Sequence, residues 1–103
     1  MEQQPATSQP DQFPTLTYSS EGRGGYVYYL EENLKIAFEW EMAGGDAVAI
    51  IYIPVAQYWE VRTNTPLSRR QEIIDFVAAR ALVQQAKGGR FEIDEDSITL
   101  FRS

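Results

Sequence analysis

Residues 34–42 read Leu-Lys-Ile-Ala-Phe-Glu-Trp-Glu-Met, and their two-residue alternation decides the fold class. Leu34, Ile36, Phe38, Trp40 and Met42 point one way; Lys35, Ala37, Glu39 and Glu41 point the other. This is the pattern of a strand with one buried face. Just upstream, Tyr26 to Glu31 (YVYYLE) is β-branched and aromatic, as strands tend to be. Just downstream, Ala47 to Ile53 (AVAIIYI) is apolar on both faces, which suits a central strand, until Pro54 removes a ladder donor. Gly44-Gly45 between them predicts a two-residue hairpin, because both corner positions of a type I′ turn need positive φ. That turn sets Trp40 opposite Ala49 and Phe38 opposite Ile51. A turn at Glu32-Asn33 sets Tyr26 opposite Glu39 and Tyr28 opposite Ala37.

Outward from this centre, Thr15 to Ser19 reads as a short strand and Glu21 to Gly25 as a loop. Val55 to Thr65 reads as irregular, with at most one short turn. A long helix is predicted from Leu67 to Lys87. Thr65-Pro66 suits its N-cap and first residue, and Ser68-Arg-Arg-Gln71 suits a capping box. Ile73, Ile74, Val77, Ala78, Ala81 and Leu82 form its apolar stripe. Gly88-Gly89 supplies a left-handed end. Arg90 to Asp94 and Ser97 to Phe101 then alternate as a closing hairpin around Asp94-Glu95-Asp96. The expectation is an α+β fold: an antiparallel sheet in the order β-β-β-β-α-β-β with one long helix packed on one face. Residues 1–14 are rich in Gln, Pro, Ser and Thr and read as a mobile tail, leaving 15–103 as a single domain.

The 103-residue chain contains no histidine and no cysteine. The usual metal ligands, a thiol nucleophile and the neutral-pH proton shuttle are therefore missing. Ser19, Ser20 and Ser97 have no histidine to activate them, which excludes a serine triad. A net charge of −6 argues against sequence-independent nucleic-acid binding and against docking on anionic lipid. It suits a basic protein partner instead. Residues 1–12 have neither the basic start nor the apolar run of a signal peptide. The apolar stretch from Ala47 to Val55 is too short to cross a bilayer as a helix. A cytoplasmic protein without a cofactor, metal site or catalytic constellation is expected.

The registers divide the sheet into two faces. Val27, Tyr29, Ile36, Phe38, Trp40, Ala49, Ile51 and Ile53 should take the helix stripe. Tyr26, Tyr28, Leu30, Ala37, Val48, Ile50 and Tyr52 lie opposite, with Lys35, Glu39 and Glu41 among them. A single helix leaves this second face bare, and an apolar patch of that size implies a partner, a second subunit or a ligand. The alternative is internal cover by the first strand, by residues 55–65 or by sheet curvature. The candidate binding face is thus Tyr26, Tyr28, Glu39, Glu41, Ile50 and Tyr52.

Glu39 and Glu41 stand about 7 Å apart along one strand, a spacing seen in glycosidic acid–base pairs but far commoner on solvated strands. Arg69 and Arg70, beside Tyr58 and Trp59, form a candidate small-anion site. Against it, Arg69 can simply pair with Glu72 one turn on. Gly22 to Gly25 lacks the lysine of a P-loop, and Asp94-Glu95-Asp96 lacks the ligand spacing of a calcium loop. Both read as turns.

Glu39-Trp-Glu41, Gly44-Gly-Asp46, Tyr58-Trp59, Ser68-Arg-Arg-Gln-Glu-Ile73 and Gly89-Arg-Phe-Glu-Ile93 together resemble a family of small bacterial α+β proteins of uncharacterised function. The resemblance spans Glu39 to Asp94 and implies no activity. More distantly, a small acidic α+β chain is similar to immunity proteins of bacterial toxin systems, and to secretion-type chaperones that dimerise through a sheet face. The expectation is an acidic binding protein, immunity-like, that occludes a basic partner. The alternatives are a homodimeric structural or chaperone-like module and a small-anion-binding protein or enzyme.

Overall fold

The alternation of residues 34–42 is realised as the strand β3, Leu34–Met42, third in an all-antiparallel six-stranded sheet. The computed structural model describes residues 13–102, so the tail expected over 1–14 falls almost wholly outside the described residues. The elements are β1 (Thr15–Glu21), β2 (Gly24–Glu31), β3, β4 (Ala47–Tyr52), α1 (Ala56–Thr63), α2 (Arg70–Gln85), β5 (Arg90–Ile93) and β6 (Ser97–Phe101). In space the strands run β1-β2-β3-β4-β6-β5. The fold is α+β, with a second helix where an irregular segment was expected.

That helix, α1, carries little periodic signal, since only Trp59 and Thr63 are buried along it. Eight residues are too few to be stable alone, so tertiary contact holds it. Trp59 is fully buried and stacks on Phe38 of β3, with ring centroids 6.2 Å apart. Asn64 closes α1 in the left-handed conformation, at φ 54°. Thr63 Oγ1 donates to the Trp59 carbonyl at 2.7 Å, and Thr65 Oγ1 to the Thr63 carbonyl at 3.0 Å.

Thr65 is therefore spent on the end of α1 and does not cap α2. Neither does a capping box form: no side chain caps the start of α2, and Gln71 Nε2 donates to Asp75 instead. The 3₁₀ turn Leu67–Arg69 precedes α2, and the amide of Leu67 donates to Glu60 Oε2 of α1 at 2.8 Å. At the far end α2 stops at Gln85, short of the expected Lys87. Gly88 takes the positive φ of 88° two residues beyond the Ala86 cap.

Both helices lie on one side of the sheet. Ile73, Ile74, Val77, Ala78 and Ala81 of α2 join Leu16, Val27, Tyr29, Ile36, Phe38, Ile51, Ile98 and Leu100 of the sheet, with Ile53 and Trp59, in one core.

The β2–β3 register is the predicted one, with Tyr26 opposite Glu39 and Tyr28 opposite Ala37. The β3–β4 register is not: Trp40 lies opposite Ile51 rather than Ala49. The corner has moved one residue, to Gly45-Asp46. Gly45 takes φ 65°, and the Ala47 amide donates to the Gly44 carbonyl at 3.1 Å. Arg102 holds it there, donating from its guanidinium to the Gly45 carbonyl at 2.6 Å and from its amide to the Asp46 carbonyl at 2.9 Å. Moving a corner by one residue shifts each partner by two, so every side chain keeps its face. Val48 is the exception. A register shift between Ala47 and Ala49 in the β4–β6 pairing brings it round to pack against the core, not on the second face.

Gly24 and Gly25, read as loop, belong to β2. Gly25 pairs with Trp40 on one side and Ser20 on the other. Trp40 Nε1 reaches across it to donate to the Ser19 carbonyl at 3.0 Å, tying β3 to β1 over the bare glycine. A Cβ on Gly25 would run into that same carbonyl, whereas one on Gly44 would meet nothing within 4 Å. Gly25→Ala should therefore cost at least about 2 kcal/mol in denaturant unfolding, and Gly44→Ala should stay within about 0.5 kcal/mol of the parent. Equal stability of the two variants would refute the role given to Gly25.

Candidate functional site

The side of the sheet away from the helices gathers the residues expected there. Tyr26 and Tyr28 stack in β2 with ring centroids 6.1 Å apart, and Lys35 Nζ sits 4.6 Å above the Tyr28 ring. Glu39 stands opposite Tyr26; Glu41 stands between Gly24 and Ile50. Tyr26 and Tyr52 are 39% and 40% exposed, which keeps both rings available, while Tyr28 and Ile50 are half-buried by their neighbours.

Glycine shapes this surface. With no side chain at Gly24, a shallow depression of about 440 Å³ opens beside Glu41. Glu21, Arg23, Tyr26, Glu39 and Met42 share its lining. Sequence reasoning missed Glu21 and Arg23, although glycine inside a strand pattern marks such openings. Partial desolvation, then the carboxylates of Glu41, Glu39 and Asp96, push the Tyr52 hydroxyl above the ordinary tyrosine range. It stays protonated, a hydrogen-bond donor beside two acceptors. Chemically the face offers flat aromatic area and negative charge, with Lys35 and Arg23 at its margins.

The four residues of the expected anion site do not form one. Trp59 is fully buried, so it cannot wall an exposed pocket, whereas Tyr58 on the same helix is 51% exposed. Arg69 is held between two carboxylates, bidentate to Glu31 and at 2.9 Å to Glu72. The Glu72 contact is the i,i+3 pair that the spacing allows. Arg70 donates to the backbone carbonyls of Pro54 at 3.0 Å and Glu95 at 2.8 Å, with its guanidinium over the Trp59 ring. Both arginines tie the start of α2 to the sheet. Asp94-Glu95-Asp96 is the β5–β6 hairpin tip, with the Asp94 amide donating to the Ser97 carbonyl at 2.8 Å.

No family model matches this chain, and no curated protein and no solved structure is significantly similar to it. No helix among the described residues is long and apolar enough to cross a membrane.

The Glu31–Arg69 clamp also makes the stability of the fold depend on pH. Arg69's hydrogen bonds hold the Glu31 carboxyl below its usual range, outweighing partial burial; the Tyr29 hydroxyl, donating to it at 2.6 Å, lowers it further. Burial first, and Glu31 second, push Tyr29 up to about 12. A depressed carboxylate stabilises the fold above its unfolded pKa and is lost as pH falls through 4.5 and below. A raised phenol stabilises it below 10 and is lost as pH climbs from there to about 12. Thermal melts across pH should show both limbs, with Glu31→Gln flattening the acid one and Tyr29→Phe the alkaline one. Parallel profiles in parent and variants would contradict the assignment.

Proposed function

We propose that this is a non-enzymatic binding protein whose helix-free sheet face captures a basic protein partner, in the manner of an immunity-type inhibitor. One observation carries the reading: both helices pack on the same side of the sheet. The Tyr26–Tyr28 stack, Tyr52, Glu39 and Glu41 are therefore left together on the other. Rigid aromatic side chains supply contact area at low entropic cost, and tyrosine is enriched among interface hot spots. The two glutamates supply ion-pair acceptors at their centre, and the net charge of −6 would speed encounter with a cationic partner.

Self-association through this face is the competing reading. Isologous pairing would bring Glu39 and Glu41 of two copies into one interface, on a chain already strongly negative, and like-charge juxtaposition is costly. A cationic partner meets no such penalty.

The test is affinity capture from the source cell, purification of the captured protein, and binding isotherms for parent and Glu39→Lys/Glu41→Lys. The double variant should lose at least about tenfold in affinity while melting within a few degrees of the parent, and parent binding should weaken with salt. A captured protein bound equally well by both forms would overturn the assignment. So would a parent that sediments as a dimer through this face.

A further inference from the structure

We propose that the helix-covered side of the sheet carries a second, unrelated site: a groove for a small uncharged aromatic ligand. It lies on the opposite face from the proposed partner surface and does not depend on that reading. The groove exists because α2 ends at Gln85, before its cover reaches the tip of the β3–β4 hairpin. The last turns of α2 still seal the core, leaving Ala81 fully buried, but beyond them the small side chain of Ala49 on β4 is only half-buried. A surface groove of about 420 Å³ remains above it.

Its walls determine what fits. Val27, Ile51 and Leu100 are buried core residues beneath its floor, and its accessible apolar walls are the half-buried Trp40, Val48 and Ala49 with the exposed Met42. Trp40 cannot swing in to close the gap, because its Nε1 is bonded to the Ser19 carbonyl across Gly25. The polar groups lining it are Tyr18, Ser19, Ser20 and Gln85, and no charged side chain is among the lining residues. Such a site resembles small-molecule pockets, which run from about 300 to 1,000 Å³ with apolar walls and few polar groups. A charged ligand would lose its hydration there without an ionic partner. A compact ring system bearing one hydroxyl or carbonyl suits both walls and rim.

Two tryptophans give the experiment its readout, because Trp40 lines the groove and Trp59 is sealed in the core. The full chain, isotopically labelled, is titrated with 2-naphthol and, separately, with 2-naphthalenesulfonate, similar in shape but anionic. The expected result is a saturable shift of the Trp40 indole N–H and the Ala49 and Ala81 amides with 2-naphthol. The Trp59 indole should stay still, and the sulfonate should bind at least tenfold more weakly. Ala49→Leu should abolish the shift by filling the gap; should that variant not fold, Val48→Phe narrows the same groove from the bulge. The proposal is overturned by non-saturable shifts, by equal binding of the sulfonate, by shifts confined to Tyr26, Tyr28 and Tyr52, or by binding that survives filling. Concentration-dependent movement of the same signals without any probe would make a second copy the occupant and overturn it too.

Discussion

The supply of helix governs this molecule. Six strands at about 4.8 Å spacing make a sheet about 24 Å wide, and α2, with 16 residues, is about as long. Together with the short α1 it can cover one side once, and no other helix among the described residues remains for the second side. The core, the tyrosine-rich open face and the groove all follow from how that single layer is distributed. The layer is thick where Trp59 stacks on Phe38 and thin where α2 ends.

Charge positions the layer. Arg69 reaches back to Glu31 at the end of β2, and Arg70 reaches the other way, to Pro54 after β4 and Glu95 at the β5–β6 tip. Adjacent residues at the start of α2, Arg69 just before it and Arg70 at its first position, thus brace it against both halves of the sheet. Cations at a helix start are disfavoured by a few tenths of a kcal/mol. Their bonds to the Glu31 and Glu72 carboxylates and to the Pro54 and Glu95 carbonyls offset that.

The fold was legible in the sequence wherever periodicity was strong. β3 begins and ends where its alternation does, and the apolar stripe of α2 is the buried one. What escaped was set by distant contacts. α1 owes its existence to the insertion of Trp59, which a local pattern cannot show. Gly24 and Gly25 look like loop residues until Trp40, fifteen positions later in the chain, is seen lying across Gly25. The open face could be read off because strand parity survives a register error, and this is why the displaced hairpin corner left Glu39, Glu41, Ile50 and Tyr52 together. The anion site failed for the opposite reason. Tyr58, Trp59, Arg69 and Arg70 are close in sequence, but α1 turns one aromatic inward and the arginines find backbone and carboxylate partners.

The grip of Arg102 on the β3–β4 corner bears on how the chain is made. The first three strands pair with sequence neighbours and can assemble as they leave the ribosome. The fourth depends on a side chain 57 positions farther along for the setting of its turn, and its other edge stays open until β6 arrives. Contacts this remote close slowly. A nascent polypeptide halted before position 102 would therefore carry a finished meander joined to an unlatched, adhesive ribbon, and during synthesis that ribbon is where a chaperone would have most to do.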